Sequence, residues 1–264
     1  MKRFFLPILF FSACTFITCQ STANSAHGGV SSADTAHYEM HSFHAKSKFL
    51  ANAESGQDTT FISVNYPIFK DSITNKLVKS AIFTDGEQTM DQLATSFIEA
   101  YDEYAKEATV TTFAAWYHQR YIKVHSNTPL FISLINSVEE YTGGAHGNHY
   151  NLFKSFDLSS KKEIMLEDLI IKNNLPQLVN IAEARFREHE NIAKDSSLSD
   201  SYFFDDGIFT LADNFALERD HLLFYYNPYE IKSYAEGDTE LRIPLKDIKD
   251  LLSPKGIQYI NSFN

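Results

Sequence analysis

The spacing of apolar residues changes period several times along the chain. Tyr38–Leu50 alternates moderately, and Asp58–Tyr66 alternates more clearly among β-branched neighbours. Both predict strands, the second limited by Pro67. From Asp71 to Ile82 the period becomes helical. Ile73, Leu77, Val78 and Ala81 fall on one side, with an Asp or Ser cap in front. A longer helix is predicted over Thr89–Ala108. Its stripe of Leu93, Phe97, Ile98, Tyr101 and Tyr104 reads as core, with Asp102, Glu103, Lys106 and Glu107 turned to solvent. Strand character returns over Thr109–Arg120 and Tyr121–Ser126, and Asn127-Thr128-Pro129 breaks it.

Two further strands, Phe131–Thr142 and Asn148–Leu158, flank Gly143-Gly144-Ala145-His146-Gly147. Three glycines so close together predict a turn or bulged corner with positive φ. A polar turn over Asp157–Glu163 follows, and Leu166–Leu169 starts a helical segment. Leu175–Ala193 is the second long helix, with an apolar face of Leu178, Ile181, Ala182, Ala184, Phe186 and Ile192. Short strands are predicted at Phe215–Leu217, His221–Asn227 and Glu240–Ile243. Pro244 is expected to open a short helix carrying Leu245, Ile248, Leu251 and Leu252. Strands and helices are clustered rather than alternating. The expected fold is therefore α+β, a mainly antiparallel sheet with two long helices packed on it.

The N-terminus reads as an export signal. Met1-Lys2-Arg3 is basic, and Phe4–Phe11 is apolar but too short to span a bilayer. No later apolar run is long enough either. Ser12-Ala13-Cys14 resembles a bacterial lipobox, in which the cysteine is acylated and becomes the new N-terminus. Cys19 is the alternative. Residues 1–13 are then a signal peptide, and residues 14–36 a lipidated cysteine on a flexible Ser-, Ala- and Gly-rich tether. Residues 37–160 and 161–264 form the two parts of one module. The expected location is the membrane, with the module facing the periplasm or cell exterior.

The two cysteines of the chain both lie in this leader, so no disulfide, thiolate zinc site or catalytic thiol is expected in the folded module. The formal net charge is −11 and no Lys/Arg cluster occurs, which argues against nucleic acid. An acidic surface attracts a basic partner, although solubility is the simpler account.

Candidate chemistry is sparse. His146 and His149 have no third ligand indicated by spacing, and His146 is expected to order the corner instead. Asp205-Asp206-Gly207 lacks the further oxygens of a calcium loop. Glu139 and Glu140 are adjacent in a strand and point to opposite faces, so they do not flank one bond. No nucleophile elbow, P-loop or dinucleotide fingerprint occurs. No metal or cofactor is implied. Tyr225–Glu230 is an aromatic run near a turn, where an exposed tyrosine serves as a platform for sugar or protein.

Tyr141-Thr-Gly-Gly-Ala-His146 followed by Phe156-Asp-Leu-Ser-Ser-Lys-Lys-Glu-Ile-Met-Leu-Glu-Asp-Leu169 resembles the signature of a bacterial extracytoplasmic domain family of unknown general function. Asp213–Leu217, His221–Ile231, Ala235–Gly237 and Ile243–Leu252 resemble its later motifs in the same order, so the resemblance covers roughly residues 38–254. The family occurs as the ectodomain of the lysozyme-sensing anti-sigma factor RsiV and beside the catalytic domain of the peptidoglycan deacetylase PdaC. Lys161 stands where the family pattern has glycine, a change expected to be harmless. No catalytic domain, transmembrane helix or sigma-binding segment is recognised, so the module is expected to stand alone on its lipid.

The resemblance implies a non-catalytic binding module at the cell envelope, with peptidoglycan or a lysozyme-like protein as ligand. The alternative is a peptidoglycan-modifying enzyme, either a deacetylase accessory or a hydrolase. The preferred contact residues are Tyr141, Gly143, Gly144, His146 and Tyr229. Mass spectrometry of the membrane fraction should recover an acylated N-terminal cysteine peptide, lost in Cys14→Ser. An intact, unprocessed N-terminus would contradict lipidation, and loss only in Cys19→Ser would move it to the second cysteine.

Overall fold

The computed structural model describes residues 36–51, 58–84, 86–107 and 114–263. The leader, Cys14, Cys19 and nearly all of the tether lie outside the described residues. Strands β1 (Tyr38–Leu50), β2 (Thr59–Phe69), β3 (Tyr117–Asn127), β4 (Phe131–Tyr141) and β5 (Asn148–Asp157) form one sheet in that order. All its pairings are antiparallel except β2 with β3. Parallel neighbours need a long crossover. Helices α1 (Ser72–Ile82) and α2 (Met90–Glu107) lie in this one and cover one face of the sheet. A second sheet, β6 (Phe215–Leu217), β7 (His221–Tyr226) and β8 (Thr239–Pro244), is wholly antiparallel. Short α3 (Leu166–Leu169), long α4 (Leu175–His189) and α5 (Pro254–Asn261) accompany it. The fold is α+β as expected, with one long helix serving each sheet.

Local signals account for most boundaries. Asp71 caps α1, its carboxylate accepting from the Ile73 and Thr74 amides. Leu77, Val78 and Ala81 are buried as their spacing requires, but Ile73 is exposed. In α2, Leu93 and Tyr101 are buried, and the exposed Tyr104 stacks on Trp116 at 5.3 Å. In α4, Leu178, Ala182 and Phe186 point inward while Ala184 is exposed. The helix stops at His189 rather than Ala193, because Asn191 adopts a left-handed φ of 56° and turns the chain.

Three expectations are corrected. Pro67 does not end β2, which continues to Phe69. Pairing with β3 stops at Asn65, so Pro67 lies where one side of β2 is free and a missing N–H costs nothing. Pro244 ends β8 instead of opening a helix. The Leu245–Leu252 segment makes two short 3-10 turns, interrupted at Ile248 (φ −120°), and the real helix begins after Ser253, which caps it. Lys161 is not a neutral replacement for glycine: its φ is 58°, a conformation that disfavours any side chain with a Cβ.

Two cores meet at β4. Phe131 packs into a core with α4, α5 and the second sheet, against Tyr259 and Phe263. Its neighbour Ile132 points the other way, with Leu134, into the core beneath α1 and α2. β5 is the edge of the large sheet, and asparagine side chains close it. Asn214 accepts from the Phe153 amide at 2.8 Å and donates to the Asn151 carbonyl at 2.8 Å. Asn227 accepts from the Asn151 amide at 2.7 Å and donates to the same carbonyl at 3.1 Å. Both asparagines come from the second sheet's segments, so these bonds tie the two layers together.

The turn after β5 is held by Asp157. It accepts from the Ser159 and Ser160 amides at 2.8 and 2.6 Å and from the Tyr259 hydroxyl at 2.6 Å, with Lys255 at 3.4 Å. Burial alone would raise its pKa. The hydrogen bonds from Tyr259 and Ser160 and the Lys255 charge outweigh burial and hold the carboxyl far below the usual range. A depressed carboxyl stabilises the fold fully above its unfolded value, about 3.9, and that contribution is lost as pH falls towards the folded value. Asp157→Asn should therefore cost about 1.5–3 kcal/mol in urea unfolding at neutral pH. The gap from the parent should narrow below about pH 3.9. A gap independent of pH would contradict this account.

Candidate functional site

One face of the large sheet is taken by α1 and α2. Among the described residues, the opposite face is covered only near Phe131 and Phe153, where the second layer packs. The remainder is open, and strand register arranges it in rows. Lys46, Phe61, Tyr117 and Tyr141 are successive partners across β1 to β4. His44, Ser63, Gln119, Glu139 and His149 form the next row, across all five strands. The first row is an aromatic rail. The Phe61 and Tyr117 centroids are 6.3 Å apart and those of Tyr117 and Tyr141 6.0 Å, with rings nearly parallel. The polar row contributes Gln119, Glu139 and His149 to a groove of about 360 Å³, lined also by Tyr121, Lys123, Ser137 and Asn151.

The glycine corner closes one end of this face. Gly143 and Gly144 have φ of 101° and 98°, as the turn requires. The Tyr141 hydroxyl donates to the Gly144 carbonyl at 3.0 Å, folding the loop over the rail. His146, one ring nitrogen 2.7 Å from the Gly147 carbonyl, orders the corner through backbone. Its ring stacks on Tyr234, 4.3 Å between centroids, and the Tyr229 ring lies 5.4 Å from Tyr234, tilted by 33°. Tyr234 thus lies against both the His146 and the Tyr229 rings. Its hydroxyl donates to the Gly147 carbonyl at 3.0 Å, so His149 Nδ1, 3.1 Å away, is the donor in the remaining contact.

Tyr229 is the unusual member of this set. Its φ is 70°, a strained value for a bulky residue, yet its side chain is 56% exposed. The turn explains how the strain is held: the Glu230 amide donates to Asn227, and the Tyr229 amide donates to the Lys232 carbonyl at 3.2 Å. The result presents a large aromatic ring to solvent beside the hairpin.

The structure brings Tyr141, Gly143, Gly144 and His146 together, with Tyr229 joined to them through Tyr234. Tyr234, Phe61, Tyr117 and Gln119 do not stand out as site residues in the sequence. Alternation along each predicted strand places the last three on one face, but strand order and register were needed to align them. Glu139 and Glu140 do diverge. Glu139 faces the groove, while Glu140 lies 3.1 Å from His118 on the helix side. Arg120 Nε donates to His118 Nε2 at 2.7 Å, so His118 carries its hydrogen on Nδ1 and donates it to Glu140. That bond, against the cost of burial, holds the Glu140 carboxyl below its ordinary value. Among the described residues, no three His, Cys, Asp or Glu side chains converge in a metal-binding group. The open face offers hydrogen bonding and aromatic contact.

These features define a two-sheet α+β module with an open, aromatic-edged face. Residues 53–149 match the family described as deacetylase PdaC, and residues 167–246 the family described as a protein of unknown function, DUF3298. The chain is 24% identical over 204 residues to the peptidoglycan-N-acetylmuramic acid deacetylase PdaC of Bacillus subtilis. That match covers 75% of this chain but only 40% of the relative. In fold it is similar to a DUF3298 family member of Bacteroides fragilis, with TM-score 0.66 and 22% identity over 88% of this chain and 99% of that one. A DUF3298 family protein of Pseudomonas aeruginosa gives a TM-score of 0.62 and 18% identity, over 84% and 96%. The chain is thus similar to both family models, one after the other along its length, and shares its fold with the solved DUF3298 proteins.

A Cβ at Gly144 meets no neighbour within 4 Å, so alanine there tests backbone conformation alone. Gly144→Ala should destabilise by about 1 kcal/mol or more, because φ is positive. A raised melting temperature would contradict the positive-φ geometry.

Proposed function

We infer that the chain is a lipid-anchored, non-catalytic binding module at the bacterial cell envelope, and that its ligand is a cell-wall glycan. The observation that carries this reading is the ring cluster of His146, Tyr234 and Tyr229, with a strained tyrosine held out to solvent. Strained backbone conformations cluster at sites that contact ligands. Aromatic rings beside hydrogen-bonding side chains suit a sugar, whose ring faces are apolar and whose rim is polar. The named activity of the Bacillus subtilis relative concerns peptidoglycan, which agrees with this ligand class. The divergence of Glu139 and Glu140 removes the carboxylate pair that a hydrolase would use there.

The full chain, extracted in mild detergent, should co-sediment with purified peptidoglycan sacculi. Tyr229→Ala and Tyr234→Ala should each weaken retention about fivefold, the loss of roughly 1 kcal/mol of ring contact. Retention by a lysozyme-like protein and not by sacculi would replace the glycan with a protein ligand. Release of acetate or of cleaved glycan would overturn the non-catalytic reading.

A further inference from the structure

The ring stack uses only the end of the open face. Beside it the sheet displays further hydrogen-bonding groups. Among the described residues, the side chains of Gln119, Ser137 and Glu139 make no hydrogen bond or ion pair, and all three line the groove. Lys123 lies over the Tyr121 ring, 5.9 Å from its centroid. His149 Nδ1 is committed to Tyr234, which leaves its other ring nitrogen as an acceptor.

We propose that this groove binds a single linear, uncharged oligosaccharide laid across strands β3, β4 and β5, with one end against the Tyr229–Tyr234 rings. The proposal rests on the glycan-binding reading above and deepens it to ligand shape, charge and direction.

Register sets the direction. Gln119, Glu139 and His149 are partners across the three strands, and Tyr121, Ser137 and Asn151 form a parallel row. Equivalent groups therefore repeat at the strand spacing of about 4.8 Å. An extended pyranose chain presents its hydroxyl and amide substituents at a comparable interval. The row also leads to His149, whose ring meets Tyr234 at 5.4 Å, so the groove runs into the stack.

Chemistry selects the class. An extended peptide would bind by adding a strand, which needs an open sheet edge. At β5, the edge beside the groove, Asn214 and Asn227 already occupy the backbone groups of Asn151 and Phe153. Amide, hydroxyl and carboxylate groups in rows instead match the paired hydroxyls and acetamido groups of a sugar chain. Charge narrows the class further. The groove holds one lysine, Lys123, and one glutamate, Glu139, and so has no net attraction for an ion. The chain as a whole carries −11, which repels a polyanion.

The test is calorimetric titration of the full chain in mild detergent with N-acetylglucosamine oligomers of increasing length, at low and high salt. Affinity should rise with length until the oligomer spans three strands, then level off, and should be the same at both salt concentrations. Gln119→Ala and Ser137→Ala, both on the sheet surface, should each weaken the longest oligomer about fivefold, one hydrogen bond's worth, and leave the shortest unchanged. Tyr229→Ala should weaken both. Salt-sensitive binding, affinity independent of length, or groove variants that bind like the parent would overturn the proposal. So would failure of every oligomer to bind while sacculi are still retained, a result that leaves the broader glycan reading standing.

Discussion

An edge strand must find partners for the backbone groups that it turns outward. β5 finds them in side chains. Asn214 and Asn227 each pair with it as a short strand would, one accepting at Phe153 and the other at Asn151. The junction is reinforced around them. Asn151 donates to the Tyr225 hydroxyl at 2.6 Å, and that hydroxyl donates in turn to Asp238. Burial together with the Asp238 bond keeps the Tyr225 phenol protonated well above its ordinary range. This junction fixes the second sheet against the first. It also sets where the chain from Pro228 to Gly237 runs, and so brings Tyr229 and Tyr234 to the hairpin.

The open face follows from incomplete coverage. β4 feeds two cores because Phe131 and Ile132 point to opposite faces. The helices pack on one face of the large sheet, whereas among the described residues the second layer claims part of the other. The uncovered part keeps the alternation of a solvated strand surface, but register sets Phe61, Tyr117 and Tyr141 in one row and Gln119, Glu139 and His149 in the next. A rigid sheet holds these rows in place before any ligand arrives, which limits the ordering cost of binding. The buried Arg120–His118–Glu140 chain lies on the helix side and supports the sheet from beneath.

Much of the fold was legible in the sequence because the strands and helices carry strong periods and clear stops. β1 and β6 have the predicted bounds, and the Asp71 cap and the glycine corner behave as their residue types require. Misreadings arose where a local rule met a tertiary circumstance. Pro67 is tolerated because β2 has lost one neighbour, and Pro244 because β8 is an edge strand. Lys161 occupies a left-handed turn that glycine would fill without strain. The helix after Ser253 carried both a cap and a proline, and was overlooked beside the Pro244 signal. Part of the candidate corner was also legible: Tyr141, Gly143, Gly144 and His146 are close in sequence and lie together in the fold. Tyr234 was not, since it meets His146 across 88 positions of chain, and only the β5 junction makes them neighbours.

The central claim is that ligand contacts gather on the open face beside the ring stack. The direct measurement is magnetic resonance of the full chain with isotope-labelled histidine and tyrosine, titrated with solubilised glycan strands. Signals of His146, His149, Tyr229 and Tyr234 should move together and saturate at one concentration, while that of His118, buried on the helix side, stays in place. Movement of His118 without the ring-stack signals, or no movement at all, would contradict the account.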